Sequence, residues 1–203
     1  MYGLPQRTET SKPLHKTKIF EKFALTAAQR ESFDADVSRM VITHVIAEST
    51  IPTIKPGKEI ADFYVVEVSM KRSDYATKSI ELLAKSIPRK ILFVLHFEEL
   101  SQFAIYHTKL ICSEWQSRDA LSVPLSGLDL DAVWENIVAN VGAITVQQGN
   151  TLTEQIQHDE IRTKLQQQIL ALQKRLNKEK QYNRQIEINA EIKRLKKQLN
   201  DIK

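Results

Sequence analysis

Residues 151–203 constrain this chain most, because they contain no Pro, Gly or Cys and place Leu or Ile at helical spacing. That composition describes a long solvated helix or a pair of helices, an element that holds things together rather than one that carries chemistry. Leu165, Ile169, Leu172 and Leu176 alternate steps of four and three, which keeps one apolar seam toward a partner. Ile188, Ile192, Leu195, Leu199 and Ile202 repeat the alternation out of register with the first seam, so the two cannot share one uninterrupted coiled coil. The polar stretch 177–185 between them holds no strong breaker, which favours a helix running through with a bend. A turn that closes a helical hairpin is the alternative. In the first case the seam residues bind a twin or another protein; in the second they bury each other.

Without that tail about 150 residues remain, the size of one ordinary domain with its own core. The single cysteine, Cys112, cannot form a disulfide within the chain, and the first residues carry no apolar stretch of signal-peptide type. A reducing, cytoplasmic location is therefore expected. The strongest apolar run, residues 91–95, is far too short to cross a bilayer, so no membrane contact is expected. The net charge of +4 conceals an asymmetry: the tail holds 12 Lys/Arg against 7 Asp/Glu, residues 31–150 hold 11 against 16, and residues 1–30 hold 6 against 2. Basic ends around an acidic body suit nucleic-acid contact through arm and tail, and equally suit a solvated helix face with interspersed acids.

Residues 1–19 show no period and include Pro5 and Pro13, so an extended arm is expected, disordered or packed on a partner. Thr26 and Gln29 fit a capping box, and Phe33, Val37, Met40, Val41 and His44 then share one face of a helix expected to reach about residue 47. Pro52, Pro56 and Gly57 break the chain before a β-branched strand over 60–68. A helix over 74–87, ended by Pro88, leads to a continuously apolar strand over 90–97, and strand–helix–strand suggests a βαβ unit. Residues 103–111 read as a strand hairpinned through 98–102, and Asp129 caps a helix over 130–141 closed by Gly142. The class is α/β (α+β): one globular domain with a mixed sheet over 20–146, and a long helical tail, coiled coil or hairpin over 151–203.

Five glycines, at 3, 57, 127, 142 and 149, cannot write a phosphate-cradling loop or a dinucleotide fingerprint, and no cofactor is expected. The histidines at 15, 44, 96, 107 and 158 never stand at metal-ligand spacing, so no metal site is expected, and Cys112 after an apolar strand reads as a buried thiol. One constellation bears on catalysis: Asp62, Glu67 and Lys71, with Asp74 and Lys78 following. A restriction-type nuclease holds its metal on an Asp and a second acid, with a Lys two residues beyond the second. Here Glu67 and Lys71 are four apart, about 13 Å along a strand. Trp115, Trp134, Tyr64, Tyr75 and Tyr106 are scattered as core or rim residues are, although aromatics also stack on single-stranded nucleic acid. In the tail, Lys180, Asn183, Arg184, Glu187 and Glu191 form one helical stripe, a phosphate- or protein-binding face or a set of i, i+4 pairs.

Several runs carry a resemblance: Ile-Pro-Arg-Lys-Ile-Leu-Phe-Val-Leu over 87–95, Trp115, the run Leu-Ser-Gly-Leu-Asp-Leu-Asp-Ala-Val-Trp-Glu-Asn over 125–136, Glu-Lys-Gln-Tyr-Asn-Arg over 179–184, and Glu-Ile-Asn-Ala-Glu-Ile-Lys over 187–193. Together they resemble a bacterial family catalogued as a domain of unknown function (DUF4391-like), from about Phe20 onward. The resemblance implies a setting beside helicases and DNA methyltransferases of restriction or phage-defence loci, and no activity. The expected function is a non-enzymatic accessory subunit that self-associates or docks a helicase or DNA methyltransferase through its tail. A divergent metal-dependent nuclease using Asp62, Glu67 and Lys71, and a DNA-binding protein using the basic arm and tail, are the alternatives.

Overall fold

The computed structural model describes residues 2–23 and 25–201 and divides the chain into two compact units, Met1–Ile144 and Thr145–Lys203. The first is built around a buried crossover. Strand β3 (Asp62–Met70), helix α3 (Thr77–Ser86) and strand β4 (Lys90–Phe97) form the expected βαβ unit, with β3 and β4 parallel from Phe63↔Lys90 to Ser69↔His96. Strands covered on both faces need apolar residues at successive positions, which accounts for the unbroken run in β4. Before them lie β1 (Glu9–Pro13), α1 (Lys16–Phe23), α2 (Ala27–Asp36) and β2 (Val37–Ala47). After them come β5 (Leu100–Tyr106), β6 (Leu110–Cys112), β7 (Gln116–Ser117) and α4 (Leu130–Val141). The mixed sheet runs β1-β2-β3-β4-β5-β6, with β7 also on β5.

Alternation along the strands makes three layers. Val66, Val68 and Met70 of β3 and Ile91, Phe93 and Leu95 of β4 pack on Ile19 of α1, Phe33 of α2 and Ile80 and Leu83 of α3. On the opposite face Phe63 meets Trp134 of α4, ring centroids 5.2 Å apart. Fully burying each such side chain contributes about 1.5–3 kcal/mol.

Several expectations are corrected here. The helix from Thr26 does carry its capping box, but it ends at Asp36, and residues 37–47 form the long strand β2. The cause lies in two irregularities of the β2–β3 pairing, between Val37 and Arg39 and between Ile42 and His44. A bulge inserts a residue and switches the side-chain alternation to the other face. Met40 thus packs on the helices while His44 faces Tyr2 on the far side, and the broken alternation imitates a helical period. The β-branched run Val41, Ile42, Thr43, Val45 and Ile46 was the competing strand signal. The residues 1–19 are no free arm either: Tyr2 and Leu4 are buried, and β1 pairs antiparallel with β2 as the edge strand. The β4–β5 turn is also tighter than expected, two residues with Glu98 at φ 51°, and β6 is a separate strand.

The side chain of Asp36 is fully buried where α2 passes into β2. Its carboxylate accepts from Arg72 Nε at 2.7 Å, Ser79 Oγ at 2.8 Å and the Ala76 backbone N–H at 3.0 Å, while its carbonyl accepts from Lys71 N. It thereby anchors the start of α3, whose N-cap residue, Ala76, makes no side-chain cap of its own. A second carboxylate, Asp131 in the first turn of α4, accepts the backbone N–H groups of Lys58, Glu59 and Ile60. Gly57 is required beside it, since a Cβ there would come within 2.2 Å of the carboxyl carbon.

The second unit begins with α5 (Leu152–Leu176), opened by a capping box between Thr151 and Glu154, and ends with α6 (Tyr182–Asp201). The continuous bent helix is thus replaced by its alternative, a hairpin. Neither Gly nor Pro is needed for the turn, because Glu179 makes it: its carboxylate accepts from Lys180 N and Gln181 N, and its carbonyl accepts from Gln185 Nε2. The two seams then bury each other. Ile169, Ile188, Ile192 and Leu195 form the centre, with Leu165, Leu172, Leu176 and Leu199 around them, while Ile202 lies outside the described residues. Among the described residues no helix is long and apolar enough to cross a membrane.

Asp36→Ala is expected to lower stability by about 2–4 kcal/mol, since it strands buried donors that a charged acceptor had satisfied. Asp36→Asn is expected to cost less, and urea midpoints of the two variants give the comparison. Ile188→Ala is expected to cost about 2–4 kcal/mol of hairpin stability, visible as lost helical circular dichroism on mild heating.

Candidate functional site

Strand alternation turns Glu67 of β3 and His96 of β4 onto the sheet face opposite α1–α3, the face that Tyr2 covers. Tyr2 and Gly3 both lie in the left-handed region, at φ 54° and 68°, and this turn carries the phenol inward. Its hydroxyl donates to Glu67 Oε1 at 2.8 Å and lies 3.0 Å from His96 Nε2. With the hydroxyl proton given to Glu67, Nε2–H of His96 is the donor to Tyr2, and Nδ1, 2.6 Å from Ser101 Oγ, accepts from the serine. Arg118, just after β7, closes the cluster with a guanidinium nitrogen 3.2 Å from Glu67 Oε1 and its plane 6.0 Å from the Tyr2 ring centroid. Beside it lies a cavity of about 440 Å³ lined by Tyr2, Gly3, Arg118, Asp119, Leu121 and Ser122.

The electrostatics say what this cluster can do. Burial opposes the charge on Glu67, but hydrogen bonds from His96 and Tyr2 and the charge of Arg118 outweigh it and hold the carboxyl at about 2. The Tyr2 phenol is pushed far up, first by burial and then by its bond to the carboxylate. His44, edge-on to Tyr2 at 6.2 Å, is pushed down by burial. A carboxylate held so acidic is a poor general base at neutral pH, and Ser101, 1% exposed, cannot meet a substrate. The arrangement ties the N-terminal residues and the segment after β7 onto the sheet.

The proposed nuclease triad is not brought together. Asp62 opens β3 and pairs with Arg89 at 3.1 Å; Lys71 follows the strand's other end and donates to the Asp34 carbonyl. Nine residues of extended chain span about 30 Å, and Glu67 in between is spent on Tyr2, His96 and Arg118. Among the described residues no group of three or more His, Cys, Asp or Glu stands ready to hold a metal. Of the scattered aromatics, Trp134 is buried, Trp115 packs edge-on against Tyr75 at 6.3 Å, and Tyr106 lies under Lys85 Nζ at 5.0 Å. Tyr64 is partly buried against the helix-side core. Tyr2, His96 and Arg118 were missed because no spacing in the chain joins positions 2, 67, 96 and 118.

In the hairpin, Asn183, Arg184, Glu187 and Glu191 are exposed along α6, whereas Lys180 sits in the turn before it, so the five do not ride one helix. The seam residues Leu165, Ile169, Leu172, Leu176, Ile188, Ile192, Leu195 and Leu199 face one another within the chain. Lys174, Arg175, Lys178, Lys180 and Arg184 surround the turn, all exposed, and none forms an ion pair among the described residues. Glu179 is the only acid in 174–184. Tyr182 stands among them with 74% of its surface in solvent.

The model of a family described as Domain of unknown function (DUF4391) matches residues 2–199. No curated protein and no solved structure matches the chain.

Glu67 holds its proton less tightly in the fold than in the unfolded chain, so its contribution is fully present above its ordinary value of 4.5 and is lost as pH falls toward about 2. Urea unfolding is expected to show this acid loss in the native protein and a flatter acid limb in Glu67→Gln. Equal acid slopes in the two would refute the assignment.

Proposed function

The chain belongs to the DUF4391 family, whose description names no activity, and we propose that it is a non-enzymatic accessory subunit of a DNA-acting complex of the restriction or phage-defence type. It works beside a helicase or DNA methyltransferase, and its helical hairpin engages the nucleic acid. The observation that carries this reading is the turn between α5 and α6. Five exposed cations unpaired among the described residues, Lys174, Arg175, Lys178, Lys180 and Arg184, gather there around exposed Tyr182. Such a cluster is the electrostatic footprint of phosphate contact, and an adjacent aromatic adds a surface on which a base stacks.

Two features support the choice over its rivals. The apolar seams are spent on the hairpin's own core, which leaves the tail's outward surface, rather than its seam, to meet other molecules. The best-connected polar cluster of the first unit puts both Tyr2 and Arg118 on Glu67 Oε1, and a carboxylate engaged in this way suits a structural tie better than turnover. Glu179, the acid of the turn, is held below its ordinary value by the Gln181 and Lys180 backbone N–H groups and by the charges of Arg184 and Arg175, so it stays ionised as the cap of the turn and offsets one of the five positive charges around it.

Five phosphate contacts give a slope of about −4 in log affinity against log salt, so binding to a short DNA duplex or strand is expected to fall roughly 10²- to 10³-fold between about 50 and 200 mM salt. Reversing Lys178, Lys180 and Arg184 to Glu is expected to abolish it, measured by fluorescence anisotropy. Absence of binding at the lower salt, or binding that ignores the reversal, would sink the nucleic-acid reading. Co-purification with a neighbouring helicase or methyltransferase, with and without residues 145–203, tests the accessory role separately.

A further inference from the structure

Tyr182 opens α6 with 74% of its surface in solvent, and Ile186, one turn further along the same side of the helix, is 52% exposed. The Tyr182 side chain forms no hydrogen bond, ring contact or cation contact among the described residues. The turn, residues 177–184, supplies Lys178, Lys180 and Arg184 together with the amides of Asn177, Gln181 and Asn183, all exposed and with no side-chain hydrogen bond among the described residues. The backbone that carries them is fixed. The Glu179 carboxylate accepts from Lys180 N at 2.9 Å and from Gln181 N at 3.0 Å, and its carbonyl accepts from Gln185 Nε2 at 2.7 Å. Presented from a fixed turn and with few side-chain torsions of its own, the ring loses little conformational entropy when a flat surface stacks on it.

Phosphates alone ask only for the cations. In a duplex each base face is covered by its neighbours, and a protein meets the phosphates and the base edges that line the grooves. An exposed ring with an aliphatic neighbour has little to stack on there. In an unpaired strand the base faces are open, and so are the edges to which amide side chains hydrogen-bond. The turn carries both kinds of group beside its cations, which is more than duplex contact uses. On the reading that this turn engages nucleic acid, on which the inference rests, we propose that it selects unpaired nucleotides. A base stacks on Tyr182 beside Ile186, its edge meets Asn183 or Gln181, and the adjoining phosphates lie on Lys178, Lys180 and Arg184. Single-stranded DNA and single-stranded RNA share this chemistry.

The test uses the full chain, titrated by fluorescence anisotropy at about 50 mM salt. The probes are a labelled strand of about 12 deoxythymidines, a strand of the same length that lacks bases, and a blunt duplex that contains the thymidine strand. The thymidine strand is expected to bind about tenfold or more tightly than the other two, and Tyr182→Ala to remove that preference, whereas Tyr182→Phe keeps it. Tyr182 lies outside the hairpin seam, so its replacement leaves the fold in place, which helical circular dichroism of both variants checks. Lys180→Ala is expected to weaken the thymidine and the baseless strand alike and to lower the salt slope by about 0.7, a slope that Tyr182→Ala leaves unchanged. A ribouridine strand titrated in parallel shows which of the two sources is preferred. A duplex bound as tightly as the strand, or strand binding that ignores Tyr182→Ala, overturns the selection of unpaired nucleotides and leaves the nucleic-acid reading standing. No binding by strand or duplex overturns both, so the two failures are told apart.

Discussion

The buried carboxylate of Asp36 is the point on which the first unit turns. A charge cut off from water must have its lone pairs met, and here the donors come from Arg72, Ala76 and Ser79, all in the link between β3 and α3 and the first turn of α3. The residue that ends α2 therefore also starts α3, and it brings the beginning of β2 to the end of β3. Once that junction is set, α3 returns antiparallel to the strands and β4 has one place to pair, parallel to β3. Everything further out, from the β5 hairpin to the edge strand β1, adds to this crossover.

The same junction decides what the two sheet faces carry. With β3 and β4 in register, one face takes Val66, Val68, Phe93 and Leu95 to the helices, and the other takes Glu67 and His96 to Tyr2. Glu67 stands in a partly buried place, where an ionised carboxylate is tolerated only with good partners. Its partners come from the chain's second residue, from β4 and from the segment after β7. That spread is why the cluster reads as a clasp: it closes distant parts of the chain over the sheet and uses its proton-carrying groups on one another.

The hairpin works on a different principle. It has two apolar stripes, each too narrow to be buried alone, and it covers one with the other. The Glu179 turn makes that possible from polar residues only, so the motif Glu-Lys-Gln-Tyr-Asn-Arg has two jobs divided by position. Glu179 and the backbone of Lys180 and Gln181 build the reversal, while the side chains of Lys180, Tyr182 and Arg184 are left to solvent. Charge that spacing alone suggested would be neutralised along the helix is instead gathered around a tip, with no ion pair to it among the described residues.

By itself the sequence determined the local grammar: the capping box at Thr26, the Asp129 cap and Gly142 stop of α4, the βαβ unit, the two helical seams and the mixed α/β class. Those features rest on interactions within a few residues or on apolar period, and both are written in order along the chain. Only the tertiary structure decided the rest. Bulges in β2 disguised a strand as a helix, because a face switch depends on the pairing partner and leaves no mark in composition. The reversal at Glu179 depended on the gain from joining two seams, a non-local energy that no turn residue announces. The Glu67 clasp joins positions 2, 67, 96 and 118, whose proximity is a property of sheet register rather than of spacing.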